Sequence, residues 1–197
     1  MTIKLKLMKK LPLFLLCILL FISCKEQPTK ENITIERTPD SFAIVIHGGA
    51  GGIKREYFTE EQQEAYAEKL QEALDAGYAV LENGGISLDA IQVAINIMED
   101  SPLFNAGKGA VYNSDGNQEM DAAIMDGKTL NAGAVSLITG IKNPVSLARD
   151  VMEKTPHVFL VGQGAQDFAI AQGFPLAEQV LSKNAKENYD KWLKESK

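Results

Sequence analysis

The chain has 197 residues, with 20 basic and 26 acidic side chains that give a net charge of −6 at neutral pH. This length is sufficient for one domain with a sizeable buried core. An acidic chain lacks the basic surface that nucleic-acid binding requires, so no nucleic-acid partner is expected. Its cysteines are Cys17 and Cys24, which excludes a disulfide framework, a zinc cluster and a cysteine nucleophile from the rest of the chain.

Residues 1–23 have the pattern of an export signal. Four lysines precede the apolar run Leu11–Ile22, which is too short to span a bilayer as a permanent helix. Ser23-Cys24 then resembles a bacterial lipoprotein cleavage site, which predicts a lipid on Cys24 and a membrane-anchored protein of the periplasm or cell envelope. An ordinary secretory signal and an uncleaved anchor are the alternatives. Cleavage before Cys24 would remove four lysines and leave a net charge of −10.

A polar segment separates this signal from the first regular elements. Residues 24–40 contain two prolines and no periodicity, which predicts a flexible tether. Ser41–His47 is a continuous apolar run, as expected for a buried strand, and Gly48 and Gly49 begin the glycine-rich stretch that ends it.

Two helices are predicted next. Thr59 and Gln62 match a capping box, and an apolar stripe runs from there to the helix-stopping pair Gly84-Gly85. Ser87 is the predicted cap of the second helix. The residues expected to face inward on that helix are Ile91, Ala94, Ile95 and Met98.

The remaining elements indicate a mixed α/β domain over residues 41–174, with helices covering a sheet. Strands are predicted at 110–113, 118–125, 132–139 and 158–161, with turns at 114–116 and 126–128. Helices are predicted from an Asn143 cap to Lys154 and over 164–172. Residues 175–197 are polar and are predicted to form a C-terminal linker, with a surface helix as the alternative for 184–197.

Two segments are rich in residues that bring backbone close to other groups. They are the glycine loop His47–Gly52 and the Gly-, Asn- and Asp-rich run Ser101–Val135. A nucleotide site is not supported, because neither Gly-x-Gly-x-x-Gly nor Gly-Lys-Ser/Thr occurs. The loop has more glycines than a turn needs, so we predict that its bare backbone, including Gly48 and Gly49, lies against a scissile bond or a nucleophile. A simple turn of the chain is the alternative.

The chain has few residues that could support a hydrolytic mechanism based on histidines or paired carboxylates. The histidines are His47 and His157, and neither stands in a metal-binding motif or beside a nucleophile elbow, so a Ser-His-Asp hydrolase is poorly supported. Glu119 and Asp121 share one face of a predicted strand and could bind a cation or act in acid–base catalysis. Turn capping at an exposed edge is the alternative for these carboxylates.

Six motifs occur in one order along Phe42–Gln172. They are Ile46–Gly51, Pro102–Gly109, Met120–Ala122 with Met125–Gly127, Ala132–Val135, Asn143–Val145, and Val151–Glu153 with Pro156–Val158. Together they resemble the plant-type asparaginase/isoaspartyl peptidase family, whose members are threonine amidohydrolases of the N-terminal-nucleophile class.

The resemblance implies a fold, a mechanism and a set of site residues. The fold would be the N-terminal part of an αββα sandwich, from a precursor that cuts itself before a threonine to give α and β chains, assembled as (αβ)2. The freed threonine attacks the side-chain amide of asparagine or a β-aspartyl dipeptide. Asn105 would lie beside that threonine, with Gly48 and Gly49 flanking it. A sodium ion would be bound by main-chain carbonyls of Met98, Glu99, Ser101, Phe104, Ala106 and Lys108; no organic cofactor is implied.

The sequence departs from the family pattern at the nucleophile. Its threonines are at positions 2, 29, 34, 38, 59, 129, 139 and 155, and none stands in a Thr-Ile/Val-Gly-x-Val-Ala context. We therefore expect the chain to be an α portion that lacks the β half and is inactive alone. A glycosylasparaginase-like amidohydrolase and a non-catalytic fragment or binding subunit are the alternatives.

Overall fold

The computed structural model describes residues 42–49, 54–176 and 183–196. Within these ranges the chain is a mixed α/β domain with a three-stranded sheet. The predicted signal, the tether and Cys24 lie outside the described residues. None of the helices in the described ranges is both long and apolar enough to cross a membrane.

The first layer is a pair of helices, α1 (Glu60–Glu82) and α2 (Ser87–Glu99). The predicted capping box is confirmed, because the Gln62 N–H donates to the Thr59 hydroxyl at 3.2 Å and the Thr59 N–H donates to the Gln62 side chain at 2.9 Å. The stop is also confirmed, with Gly84 at φ +79°. The two helices approach closely at Gly77, where a Cβ would lie 3.0 Å from the carbonyl oxygen of Ala90.

The predicted cap of α2 is wrong. Ser87 is the first helical residue, and the N-cap position is held by Ile86, which offers no side-chain hydrogen bond. The first turn is stabilised instead by Asp89, whose carboxylate lies 2.7 Å from the guanidinium of Arg149. The predicted inward face is confirmed, with Ala94 and Met98 buried in the core.

The sheet has three strands, β1 (Met120–Met125), β2 (Ala132–Ile138) and β3 (Phe159–Val161). β1 and β2 are antiparallel, whereas β2 and β3 are parallel. The parallel pair requires a crossover, which helix α3 (Pro144–Lys154) supplies. A Cβ on Gly133 of β2 would lie 2.1 Å from the carbonyl oxygen of Ala148, so strand and crossover helix are in direct backbone contact.

The turn between β1 and β2 differs from the predicted Asp-Gly hairpin. The chain needs a positive φ at Leu130, at 63°, rather than at Gly127. Asp126 organises this longer loop, accepting hydrogen bonds from the Thr129 hydroxyl at 2.6 Å and the Lys128 N–H at 2.9 Å. These bonds favour the ionised carboxylate and lower the pKa of Asp126.

Two predicted strands are not formed. Phe42–Gly49 is extended but pairs with none of the strands that the structure describes, and Val45 is 91% exposed. Only alternate residues of this segment, such as Ile44 and Ile46, are half-buried. Residues 110–113 lead instead into a tight turn that is closed by the Asn113 N–H and the Asn117 carbonyl oxygen at 2.9 Å.

Two further helices follow the sheet. Helix α4 (Gly162–Ala171) ends before Gly173 at φ +85°, as predicted. Helix α5 (Lys183–Glu195) lies in the predicted C-terminal linker, where a surface helix was the alternative. Its Tyr189 ring lies 5.2 Å from the ring of Tyr112.

The junction between α2 and α3 is held by Glu99, which is 3% exposed. Its carboxylate accepts hydrogen bonds from the Val145 N–H at 2.9 Å and from the Asn143 side chain at 3.3 Å. Asn143 holds the N-cap position of α3 and Pro144 is its first residue, as predicted, but the Asn143 side chain donates to Glu99 of α2 and forms no capping hydrogen bond with α3. Loss of hydration raises the pKa of Glu99 to about 7, although both hydrogen bonds oppose the rise.

We predict that Glu99→Ala lowers the free energy of unfolding by about 2–3 kcal/mol, because the Val145 N–H loses its acceptor inside the protein and the Asn143 amide loses one of its two acceptors. Glu99→Gln retains one side-chain oxygen toward Val145 and should cost less than about 1 kcal/mol. Urea unfolding of the two variants beside the unmodified protein measures the difference. Equal losses would contradict the capping role.

Candidate active site

An open cleft of about 1010 Å³ lies beside the start of α1. His47, Gly48 and Gly49 line it together with residues 103–106 of the loop that follows α2. The structure thus brings His47–Gly49, the described start of the glycine loop, and Asn105 into one site, although they are distant along the chain. Glu119, Asp121 and His157 are not among the residues that line it.

His47 fixes the described start of the glycine loop, residues 47–49. The Gly49 N–H donates to Nδ1 of His47 at 3.1 Å, and Gly49 has a φ of +119°, which favours glycine. At Gly48 a Cβ would lie 3.3 Å from side-chain atoms of both Leu70 and Phe104. The backbone at Gly48 is therefore bare and closely packed beside the cleft, and His47 orients Gly49.

Asn105 is held by its side-chain oxygen. Oδ1 accepts a hydrogen bond from the Val111 N–H at 3.0 Å, and the residue is exposed to the cleft. Its amide nitrogen has no hydrogen-bond partner within the described part of the chain. Because the oxygen is engaged, the group that Asn105 offers to a ligand is an N–H donor.

The loop that carries Asn105 is closed tightly on itself. Gly107 has a φ of +50°, and a Cβ there would lie 2.3 Å from the carbonyl oxygen of Glu99. A Cβ on Gly109 would lie 2.1 Å from the carbonyl oxygen of Phe104. Main-chain oxygens therefore crowd a space in which side chains are excluded.

The main-chain groups that the family resemblance assigns to a sodium ion lie at the end of α2 and in the loop that follows it. The Met98 carbonyl accepts from the Ser101 N–H at 3.1 Å, and the Ala106 carbonyl accepts from the Gly109 N–H at 3.0 Å. Ser101 is buried, whereas Lys108 is exposed. Oxygen atoms of this kind suit a hard cation such as sodium. Across the described ranges, no group of three or more His, Cys, Asp or Glu side chains could bind a metal.

The carboxylates that could have formed a catalytic pair have structural partners. Glu119 accepts from the Asn113 side chain at 2.8 Å. Asp121 accepts from the Ser136 hydroxyl and from the Leu137 N–H, the latter at 3.0 Å. Turn and edge capping, the alternative given by the sequence, accounts for both residues.

The cleft also contains an aromatic wall that sequence reasoning missed. The rings of Phe58 and Tyr66 lie 5.4 Å apart, and those of Tyr66 and Phe104 lie 5.7 Å apart. The Tyr66 hydroxyl donates to the Leu103 carbonyl at 2.6 Å. These contacts join α1 to the loop of Asn105, and no local sequence pattern signals them.

Comparison with known proteins identifies the family. The Asparaginase_2 family model, described as asparaginase, matches residues 40–197. The plant-type L-asparaginase of Pyrococcus abyssi is 55% identical over 133 residues, which cover 68% of this chain and 42% of that protein. The isoaspartyl peptidase of Salmonella typhimurium is 49% identical over 130 residues, or 66% and 42% of the two chains.

A mammalian relative matches a longer stretch of this chain. The isoaspartyl peptidase/L-asparaginase of Rattus norvegicus is 45% identical over 153 residues, covering 77% of this chain and 45% of the relative. The chain thus spans less than half the length of these curated relatives. With most of its sequence matched at this level, the chain belongs to the asparaginase family that includes plant-type L-asparaginases and isoaspartyl peptidases.

Proposed function

We propose that this chain is the α portion of an isoaspartyl peptidase/L-asparaginase, and that the nucleophilic threonine comes from a β portion. The observation that carries the proposal is the shared cleft of Asn105 with Gly48 and Gly49. The names of the relatives support the substrate class, which comprises β-aspartyl dipeptides and asparagine. By itself the chain is proposed to be inactive, since none of its threonines stands in the nucleophile context.

The proposed chemistry assigns supporting roles to this chain. The α-amine of the threonine takes the proton of its own hydroxyl, which then attacks the side-chain carbonyl of the substrate. The α-ammonium returns this proton to the leaving nitrogen as the C–N bond breaks, so that ammonia or an amino acid leaves, and water then hydrolyses the resulting ester. The N–H donor of Asn105 would position the threonine oxygen or stabilise developing negative charge. The bare backbone at Gly48 and Gly49 lets the reacting groups approach.

The surfaces of the domain support an αββα sandwich completed by the β portion. One face of the sheet packs on α3 and contributes to the core. On the other face Met125 and Phe159 are each 54% exposed. Large apolar groups on a sheet face are normally covered in a stable protein, and a second sheet from the β portion would cover them. An (αβ)2 assembly is proposed on family grounds alone.

We predict that Asn105→Asp in the enzyme assembled from this chain and its β portion lowers self-cleavage or turnover about 100-fold or more. The variant retains the oxygen that accepts from Val111 but loses the N–H donor. Asn105→Ala should show a similar loss. Rates are measured with a β-aspartyl dipeptide, and folding by circular dichroism.

The matched control for this experiment is Asn117→Ala. Asn117 is an exposed asparagine in the turn at 113–117, and it does not line the cleft. Its replacement should leave rates near those of the unmodified enzyme. Wild-type rates in both Asn105 variants would remove this residue from the site.

We also propose that a sodium ion is bound by the main-chain carbonyls of Met98, Glu99, Ser101, Phe104, Ala106 and Lys108. The support is the donor chemistry of this loop and the close approach of its oxygens to Gly107 and Gly109. The ion would act structurally, by stiffening the loop that carries Asn105.

A sodium site predicts a specific salt effect on stability. Because an ion that binds only the folded state stabilises it, replacing choline chloride by sodium chloride at equal ionic strength should raise Tm by about 4 °C or more. Scanning calorimetry measures the shift. Identical Tm values in the two salts would contradict the site.

Finally, we propose export and lipid attachment at Cys24. The support is the charged, apolar and Ser-Cys pattern of residues 1–24. We expect labelled palmitate to enter the protein in the producing cells and to be lost in Cys24→Ala. Equal labelling of the variant would refute attachment at this residue.

A further inference from the structure

Two residues of opposite charge, Arg55 and Glu64, are among the described residues that line the cleft. Arg55 begins the 3-10 turn Arg55–Tyr57 that precedes α1. It is exposed, and it shares the cleft with Gly49 and Asn105. A permanently charged guanidinium is therefore open to a ligand bound beside the candidate catalytic groups.

The turn that carries Arg55 is fixed relative to the rest of the site. The side-chain amide of Gln63 donates to the carbonyl oxygens of Arg55, at 3.2 Å, and Phe58, at 3.0 Å. Phe58 then packs on Tyr66, which packs in turn on Phe104, next to Asn105. Arg55 is thus held on a supported turn.

The charged residues on either side of Arg55 in the sequence do not pair with its guanidinium. Lys54 and Glu56 pair with each other at 3.6 Å, and the Lys54 ammonium lies 5.7 Å from the centre of the Tyr57 ring. The Arg55 guanidinium forms no ion pair with any of the residues that the structure describes, including Glu64. A guanidinium in this state is suited to a carboxylate, which it can bind through two parallel N–H···O bonds.

We propose that Arg55 is a specificity-determining residue that binds the α-carboxylate of the amino acid released from a β-aspartyl dipeptide. The proposal rests on the proposed function above and extends it. Asparagine has no such carboxylate, because its leaving group is ammonia. Arg55 therefore favours dipeptides with a free C-terminus. Glu64, which lines the same cleft and carries the same negative charge as the substrate carboxylate, disfavours their binding.

The test compares two substrates that differ only at this carboxylate, β-aspartyl-leucine and its C-terminal amide. It uses the enzyme assembled from this chain and its β portion. We expect the unmodified enzyme to prefer the free acid at least about fivefold in kcat/KM, as for a charge-assisted contact open to solvent. Arg55→Gln should abolish this preference, mainly through KM, and Arg55→Lys should restore part of it.

Glu64→Gln is the matched control, since it removes the opposite charge from the same cleft. Its preference for the free acid should equal or exceed that of the unmodified enzyme. An unchanged preference in Arg55→Gln, or an equal loss in Glu64→Gln, would overturn the role of Arg55. An unmodified assembly that cleaves neither substrate would instead overturn the proposed function, so the two failures are distinguishable.

Discussion

The buried carboxylate of Glu99 is the contact on which the arrangement of the described domain depends. It ends α2, supports the first turn of α3 through the Val145 N–H, and begins the loop that carries Asn105. Burying a carboxylate is costly unless it is hydrogen-bonded, and the raised pKa of Glu99 reflects that cost. The helical pair and the helix on the sheet are thereby joined at the point where the cleft loop starts.

From that junction the loop is shaped by backbone rather than by side chains. Gly107 and Gly109 allow main-chain oxygens of Glu99 and Phe104 to come closer than any side chain would permit. The loop then returns to Val111, whose N–H fixes the oxygen of Asn105. A rigid backbone of this kind suits a group that must present one N–H donor in a defined direction.

Features set by neighbouring residues could be predicted from the sequence, whereas features set by distant contacts could not. The Thr59–Gln62 capping box and the stop at Gly84-Gly85 depend on a few adjacent residues, and both were correct. The cap expected at Ser87 was wrong, because Ile86 holds that position. Asn143 holds the predicted cap position of α3, but the side-chain acceptor for the first turn comes from Glu99, which is distant along the chain. The apolar run at 41–47 predicted a buried strand, but a strand also needs a partner, and none of the described strands provides one.

The candidate site shows the same difference between features that the sequence could predict and features that depend on distant contacts. Motif order and glycine density indicated Asn105 and the glycine loop, and the structure brings Asn105 and the described residues His47–Gly49 of that loop to one cleft. The aromatic wall from Phe58 to Phe104 and the supported turn at Arg55 had no sequence signal, because they depend on rings and amides that meet only after α1 and the loop pack together.

In the proposed enzyme this chain supplies one wall of the active site, and a β portion supplies the attacking threonine. The direct measurement is hydrolysis of a β-aspartyl dipeptide by purified residues 24–197, first alone and then co-assembled with the β portion of a homologous isoaspartyl peptidase. We expect no turnover by the chain alone and measurable turnover by the assembly. Turnover by the chain alone, or a folded assembly that releases no aspartate, would contradict this proposal.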